Sequence, residues 1–257
     1  MNTMLIPKVA RRYDRTDSTN AVAIRAINAG EQWPDGAVIM ADEQTDGRGQ
    51  GANRWHTTPG ANLTLSCVVY PDHLTVDRLF ALTQITGLAV VQTVAHFLPA
   101  GLAAIIKLKW PNDVYVGDHK IAGILVQNGL RGRNVSWSVL GIGLNVNEVD
   151  FPSELAATAT SPALLTGAPL DREVVLAYLL ERLAANYEYT HPSRARDLDA
   201  RYKALLYRLD LPGRYHEVAT GEHFFAVLRG VNHAGQLRLE LATGGERVFS
   251  LREVRFI

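Results

Sequence analysis

The sequence predicts an α+β protein built on a mixed, mostly antiparallel sheet with helices packed on one face. Short apolar strands separated by glycine- and proline-containing turns follow one another through the middle of the chain. Segments with the helical spacing of apolar residues lie before, among and after these strands. A last group of short strands begins beyond residue 211, after the break Leu211-Pro212-Gly213. We therefore expect two domains, residues 1–210 and 211–257.

The first elements are a short helix and two core strands. Asp17 to Asn20 supplies capping residues before an apolar helix over 21–29, and Gly30 follows as a stop. Apolar strands are predicted at 37–41 and 63–69, with a glycine-rich loop between them. A helix from Leu79 to His96 carries one apolar stripe that packs on the sheet and leaves His96 in solvent.

The central strands read as an antiparallel meander, a form that leaves one sheet face covered and the other open for a ligand. Its strands are predicted at 105–109, 114–116, 121–127 and 135–146, with turns at Gly117-Asp118 and Arg131-Gly132-Arg133. Helices follow at 171–189 and 199–209. Short strands at 215–218, 224–231, 236–241 and 247–251 then predict a small C-terminal β-barrel of the SH3-like type.

Composition excludes several classes of protein. The 257 residues include 26 basic and 26 acidic side chains, so a dedicated nucleic-acid binder is not expected. Cys67 stands alone in an apolar run and reads as a small buried side chain, not as a nucleophile. No signal peptide, membrane-spanning run or zinc-ligand spacing is evident, which makes the cytoplasm the expected compartment.

The loop from Gly47 to Trp55 has a composition that suits an anion-binding lid. Its glycines allow backbone N–H groups to approach a phosphate, and its arginines can neutralise one. Trp55 offers an apolar plate for a flat ring. Alone, this pattern is weak, because glycine-rich stretches between strands are usually ordinary loops.

Further motifs make the pattern specific. They are the Lys-Trp-Pro-Asn-Asp turn at 109–113, Lys-Ile-Ala-Gly-Ile-Leu at 120–125, Ser18-Thr19-Asn20, and the Gly-Ile-Gly-Leu-Asn-Val-Asn run at 141–147. With the glycine/arginine loop, and in this order, they resemble the biotin protein ligases, the biotin–[acetyl-CoA-carboxylase] ligases. The resemblance covers most of residues 13–147, and the tail beyond 211 is similar to the small C-terminal domain of that family. It implies a class II synthetase-like catalytic domain.

The resemblance also implies a reaction. ATP and biotin would form biotinyl-5'-AMP, and biotin would pass to a lysine of a biotin carboxyl carrier protein, with Mg as cofactor. Such a site needs cations near the phosphate and carboxylate, a slot for adenine, and exclusion of water. Since the chain has no Ala-Met-Lys-Met acceptor sequence, the carrier must come in trans.

The resemblance assigns three residues to catalysis. Lys120 and Arg48 would offset the charge of the carboxylate and phosphate, whereas in isolation they read as a snorkelling lysine and a solvated loop arginine. Asp113 would help deprotonate the incoming lysine, although Pro-Asn-Asp is also a good turn. The adenylate-binding residues would be Arg48, Trp55, Asn112, Lys120 and Asn145, with Mg near Asn112 and Asp113. Trp110 is interpreted as a core residue.

The biotin pocket would use polar groups that can pair with a buried ureido ring. Ser18, Thr19 and Asn20 also read as a helix cap, and both roles are compatible. The predicted biotin-binding residues are Ser18, Thr19, Asn20, Gln44, Gly47, Arg48, Gly49, Gln50, Lys120 and Gly123.

This chain departs from the family pattern in the loop, where Gln50, Ala52 and Asn53 replace two arginines and a glycine found in many members. Fewer charges are therefore expected to hold the intermediate. Because Ser18-Thr19-Asn20 lies near the start, we expect no N-terminal winged helix, no DNA binding and no repression. A monomer and a homodimer, formed through strands around 135–146, both stay open.

Two alternatives remain open. A lipoate or octanoate ligase shares the adenylate logic, but the Lys-Trp-Pro-Asn-Asp turn and the C-terminal strands resemble biotin ligases more closely. A non-catalytic nucleic-acid-binding or regulatory module is suggested by the arginine-rich tail. Neutral total charge and the lack of a recognition helix argue against that module.

Overall fold

The computed structural model describes residues 7–51, 53–132 and 134–257. Ala52 of the loop and Arg133 of the last meander turn lie outside them. The strands in the described ranges are β1 (Lys8–Thr16), β2 (Ala37–Gln44), β3 (Leu63–Val69), β4 (Ile106–Lys109), β5 (Asp113–Val116), β6 (His119–Arg131), β7 (Asn134–Leu144), β8 (Pro212–Glu217), β9 (His223–Val231), β10 (Leu237–Leu241), β11 (Glu246–Phe249) and β12 (Val254–Phe256).

The four predicted helices are present, one of them shifted, and three further helices of four or five residues were not predicted. The helices are α1 (Thr19–Asn28), α2 (Phe80–Phe97), α3 (Ala100–Ala103), α4 (Ser153–Ala156), α5 (Pro162–Thr166), α6 (Arg172–Tyr187) and α7 (Ala195–Ala204). The helix expected at 199–209 thus begins and ends earlier. Its buried side chains, Leu198 and Tyr202, lie one helical turn apart, and turns follow it up to β8.

The large sheet has seven strands in the order β1-β2-β3-β7-β6-β5-β4. The strands from β2 to β4 pair antiparallel with their neighbours, and β1 pairs parallel with β2. This confirms the predicted mixed, mostly antiparallel sheet. β1 itself was missed, because its charged residues hide the alternation of a half-buried strand. As an edge strand it tolerates them: Arg11 pairs with Glu31 at 2.8 Å and Arg12 with Glu173 at 2.8 Å.

Alternate residues of β2 enter two separate hydrophobic clusters, which lie on the two faces of the sheet. Val38 and Met40 pack in the main cluster with α2 and α6, while Ile39 packs with Ala23 of α1. The main helical layer therefore covers one face, as predicted, and α1 additionally covers part of the other face at β2, β3 and β7. The rest of that second face, over β6 and β7, is free to hold a ligand.

α2 is the central helix of the main core. Together with the preceding turn it forms the stretch Val76–Phe97, which by length and composition alone could cross a membrane, but 67% of that apolar window is buried inside the protein. The sequence of α2 itself contains no Asp, Glu, Lys or Arg, because the helix packs against the sheet on one side and α6 on the other. His96, near its end, is exposed as predicted.

The C-terminal strands form a five-stranded antiparallel sheet in the order β11-β10-β9-β8-β12. The predicted C-terminal β-domain is present, but its sheet does not close into a barrel, because the edge strands β11 and β12 do not pair in the described chain. With four and three residues, they offer few backbone groups for closure. The inner face, with Tyr215, Leu228 and Phe249, joins the main core.

Trp110 is 4% exposed and donates its indole N–H to Gly235 O at 2.8 Å, which confirms its interpretation as a core residue.

The contact between the two sheets can be tested at Gly235. This glycine has φ +85°, and a β-carbon added to it would lie 2.6 Å from the Phe80 ring of α2. Gly235→Ala therefore combines backbone strain with overpacking, and we expect it to lower the free energy of unfolding by about 2–4 kcal/mol. Urea denaturation followed by circular dichroism measures this.

Gly244→Ala is the matched control. Gly244 has φ +88°, and an added β-carbon would meet nothing within 4 Å, so only the strain of about 1 kcal/mol should appear. Equal losses in the two variants would show that the Phe80 contact does not constrain the turn.

Candidate active site

The glycine/arginine loop folds into a small hairpin. Arg48 and Arg54 form an antiparallel bridge, Gly49 N–H donates to Asn53 O at 2.8 Å, and Trp55 N–H donates to Gly47 O at 2.8 Å. The two arms approach so closely that a β-carbon on Gly47 would lie 2.5 Å from the Trp55 carbonyl oxygen. The first glycine of the motif is therefore required by the hairpin itself.

The loop cations share one carboxylate. Arg48 Nε lies 3.7 Å from Asp46 Oδ2, and an Arg54 terminal nitrogen lies 3.6 Å from Asp46 Oδ1. Their side chains are 56% and 80% exposed, so these contacts are weak and solvent-screened. Both guanidinium groups are consequently available to an incoming anion. Arg54 was not among the predicted site residues, although it lies on the same loop.

Trp55 lies on the free face of the sheet, above two paired glycines. Gly123 and Gly143 are register partners on β6 and β7, and a β-carbon on Gly143 would lie 2.3 Å from the indole ring. The indole Nε1 is buried and has no hydrogen-bond partner among the described residues. Only glycine at 143 allows the ring to rest on the sheet.

A cavity of about 620 Å³ opens on this face of the sheet, beside Trp55. It brings together twelve of the predicted site residues: Ser18, Thr19, Asn20, Gln44, Arg48, Gly49, Gln50, Trp55, Asn112, Asp113, Lys120 and Gly123. The chain segments that carry them lie up to 105 positions apart. Gly47 lies outside the lining of this cavity, where it shapes the loop.

The start of α1 forms the polar wall of this cavity, and the residue that caps the helix is not the expected one. Ser18 occupies the N-cap position of α1, but its side chain makes no capping hydrogen bond. Gln44 of β2 takes over the capping, because its Oε1 accepts the backbone N–H of Thr19 at 2.7 Å. The Ser18 hydroxyl, 3% exposed, stays available to the cavity.

Lys120 and Asp113 form the charged centre of the cavity. Their Nζ and Oδ1 atoms are 2.7 Å apart, and the side chains are 34% and 22% exposed. The Lys120 backbone is held on both sides, since its N–H donates to Thr158 O at 2.7 Å and its carbonyl accepts from Thr160 N–H at 2.9 Å. A fixed backbone with a mobile ammonium group suits a lysine that exchanges one anionic partner for another.

Asn112 anchors the turn that presents Asp113. Its side-chain Nδ2 donates to Ile124 O at 2.7 Å, and its own carbonyl accepts the Ile124 N–H at 2.8 Å. Both contacts tie the turn to β6 at Ile124, four residues beyond Lys120. One amide hydrogen is thus used, and the side-chain oxygen and the second hydrogen are left for a ligand.

A second cavity, of about 500 Å³, adjoins the first across Trp55 and Lys120. Asn145, the remaining predicted adenylate-binding residue, lies here, 4% exposed, and donates to Thr160 O at 3.0 Å. The other lining residues were not predicted by the sequence analysis, and most of them come from segments without a motif. They are Arg54, His56, Tyr115, Phe151, Leu155, Thr158 and Ala159.

Tyr115, in the second cavity, is backed by a half-buried lysine. Lys109 Nζ lies 3.1 Å from the Tyr115 hydroxyl oxygen and 4.6 Å from the centre of its ring. Burial lowers the pKa of the Lys109 ammonium, and burial raises the pKa of the Tyr115 phenol. Lys109 thereby fixes an aromatic wall of the cavity from behind.

Cys67 takes no part in the site. It is fully buried in β3, and this burial raises the pKa of its thiol far above the ordinary range. Its prediction as a small core side chain is confirmed. In the part of the chain that the structure describes, no group of three or more His, Cys, Asp or Glu side chains could hold a metal ion.

Comparisons with known proteins agree with this geometry. The chain is 34% identical over 239 residues to the biotin–[acetyl-CoA-carboxylase] ligase of Mycobacterium tuberculosis, covering 91% of this chain and 83% of that one. It is 29% identical over 240 residues to the bifunctional ligase/repressor BirA of Bacillus subtilis, covering 93% and 71%.

Among solved structures, the biotin protein ligase of Aquifex aeolicus in complex with biotin and ATP has the same fold. It superimposes with a TM-score of 0.77 at 24% identity, over 96% of this chain and 97% of the other. The model of the biotin/lipoate A/B protein ligase family matches residues 13–145, just over half of the sequence. The chain belongs to the biotin/lipoate A/B protein ligase family.

Proposed function

We propose that this chain is a biotin protein ligase, which activates biotin with ATP to biotinyl-5'-AMP and attaches biotin to a lysine of a biotin carboxyl carrier protein. The observation that carries the proposal is the pair of adjoining cavities that share Lys120 and Trp55. One has a polar wall for a ring with hydrogen-bonding groups, and the other has aromatic and apolar walls for a nucleobase. An acyl-adenylate has one such group at each end.

In the first step, a biotin carboxylate oxygen attacks the α-phosphorus of ATP, and the bond to the departing diphosphate breaks. Both reactants are anions, so cations at the junction of the two cavities lower the barrier most. Lys120 lies at that junction, and Arg48 and Arg54 can swing in from the loop because their contacts to Asp46 are weak. We assign the charge-neutralising role to Lys120 and Arg48.

In the second step, the acceptor lysine amine attacks the carbonyl carbon, an amide forms, and AMP leaves. The amine must lose protons, and Asp113 is a carboxylate at the site that can take one. While Lys120 is paired with Asp113, that carboxylate is neutralised. When the phosphate of the adenylate draws Lys120 away, Asp113 is released to act as the base.

Magnesium fits this site only together with the nucleotide. The protein offers one carboxylate, on Asp113, and one free amide oxygen, on Asn112, and Mg²⁺ commonly binds through one or two carboxylates plus substrate phosphates. Asn112 and Asp113 would hold the ion beside the phosphates, where it neutralises charge.

We further propose that residues 1–210 and 211–257 are separate domains and that the enzyme acts in the cytoplasm.

The choice of acid tests the proposal. Purified protein is incubated with ATP, magnesium and either biotin or lipoate, and we expect an acyl-adenylate and labelling of an apo carrier domain with biotin only. The polar cavity wall is the reason, since a dithiolane ring leaves its buried groups unpaired. Adenylate with lipoate alone would instead assign a lipoate ligase, and no adenylate with either acid would favour a binding module.

Lys120→Gln removes the charge but keeps most of the side-chain length. We expect the rate of biotin-dependent ATP–diphosphate exchange to fall by about 10²-fold or more, since a cation at the developing charge is lost. Lys203→Gln, on the exposed surface of α7, is the control and should leave the rate unchanged. Exchange in the Lys120 variant at the normal rate would refute the assigned role.

Asp113→Asn tests the base. Transfer of biotin from preformed biotinyl-5'-AMP to the carrier domain should slow by about 10²-fold at neutral pH, because the attacking amine loses its proton acceptor. Asp118→Asn is the control, because Asp118 is an exposed carboxylate whose Oδ1 accepts from the Tyr207 hydroxyl at 2.5 Å. If Asp113→Asn transfers biotin as fast as the wild-type protein across neutral pH, Asp113 is eliminated as the base.

A further inference from the structure

A fully buried serine lies behind the polar wall of the first cavity. Ser66 of β3 is 0% exposed, and its hydroxyl oxygen lies 2.7 Å from the Thr19 hydroxyl oxygen and 2.6 Å from Asn20 Oδ1. Its register partner on β7 is Gly141, where an added β-carbon would lie 2.4 Å from Asn20 Oδ1. The glycine makes room for Asn20, and Asn20 thereby reaches Ser66.

The orientation of the Asn20 amide is determined by its surroundings. Its Nδ2 donates to Leu125 O at 3.1 Å and to Gln127 Oε1 at 2.9 Å. A backbone carbonyl can only accept, so the nitrogen must face Leu125 and the oxygen must face Ser66. Both amide hydrogens are used, and the Asn20 oxygen needs a donor.

This requirement determines which group donates in each hydrogen bond among Asn20, Ser66 and Thr19. Ser66 has one hydroxyl hydrogen, and it satisfies the buried oxygen of Asn20. At the contact between Ser66 and Thr19, Thr19 must therefore be the donor. Its hydroxyl hydrogen is then not available to Gln44 Oε1, 3.2 Å away, which is satisfied by the Thr19 backbone N–H instead.

The result is a pair of acceptors at the cavity. Thr19 Oγ1 keeps its lone pairs, Gln44 Oε1 lies 3.2 Å from it, and no proton lies between them. Two adjacent acceptors without a proton are best satisfied by an N–H group of a ligand. If the Thr19 hydroxyl turned round to donate to Gln44, Asn20 would lose its donor.

We propose that Ser66, itself oriented by Asn20, is a positioning residue that holds the Thr19 hydroxyl in the orientation required to accept a ring N–H of biotin. The inference rests on the proposed function and adds the reason for its choice of acid. A ureido ring donates two N–H groups, whereas the dithiolane ring of lipoate donates none. Selectivity is thus set by a residue that never touches the ligand.

Ser66→Ala removes the donor to Asn20 and frees the Thr19 hydroxyl to turn toward Gln44. We expect the Kd for biotin to rise about tenfold, while kcat at saturating biotin and the KM for ATP stay unchanged. Desthiobiotin keeps the ureido ring without the sulfur, and its Kd should rise by the same factor. Isothermal titration and diphosphate-exchange kinetics on the full chain measure these values.

A double-mutant cycle separates positioning from a general loss of structure. Thr19→Val removes the hydroxyl that Ser66 orients, so adding Ser66→Ala to this variant should change the Kd for biotin no further. Ser138→Ala is the matched control: this serine is also 0% exposed and bonds to an asparagine oxygen, Asn128 Oδ1, at 2.7 Å, away from the cavity. If Ser66→Ala does not fold, Ser66→Cys, with a weaker donor, should show an intermediate rise.

The outcomes distinguish the two proposals. A wild-type protein that neither binds biotin nor forms its adenylate would refute the proposed function. A wild-type protein that does both, with an unchanged Kd in Ser66→Ala or with additive effects in the cycle, would refute the role of Ser66 alone. An equal rise of Kd in Ser138→Ala would show a general packing effect and would also refute it.

Discussion

The site depends on the absence of side chains from one face of β6 and β7. Trp55 rests above Gly123 and Gly143, and Asn20 enters the space above Gly141; at Gly143 and Gly141 the contacts are closer than a β-carbon tolerates. Without these glycines the loop could not close on the sheet, and the start of α1 could not reach β3. The space above these glycines forms the floor of the first cavity. Packing constraints and ligand binding are therefore set by the same few backbone positions.

Charge in the site is balanced by protein carboxylates that a ligand can replace. Asp46 lies near the two loop arginines, and Asp113 is paired with Lys120. All of these groups are at least partly exposed, so their pairing is worth little in water. An anionic intermediate can exchange partners with them at low cost, and once water is excluded the new pairs become stronger. Such exchange suits a site that must bind, hold and release an adenylate.

The motifs could be interpreted from the sequence, because each encodes local chemistry. The glycine/arginine loop, the turn at 109–113 and Lys120 were all expected near one ligand, and the cavity brings these segments together. Residues without a motif were missed. Phe151, Leu155 and Ala159 reach the second cavity only through the course of the chain after β7, and Ser66 looks like any small residue inside a core strand.

What the sequence determined by itself was the order of the longer helices and of the strands from β2 to β11, the mixed sheet, the core roles of Cys67 and Trp110, and the chemistry of the motifs. These follow from periodicity, from turn residues and from side-chain type, which act over a few positions. Tertiary structure alone decided that Gln44 caps α1, that α1 covers part of the second sheet face, that the C-terminal sheet is open, and that Ser66 contacts both Thr19 and Asn20. Each of these depends on contacts between distant segments, and a hydrogen bond across 46 positions, such as that of Ser66 to Asn20, leaves no local trace in the sequence.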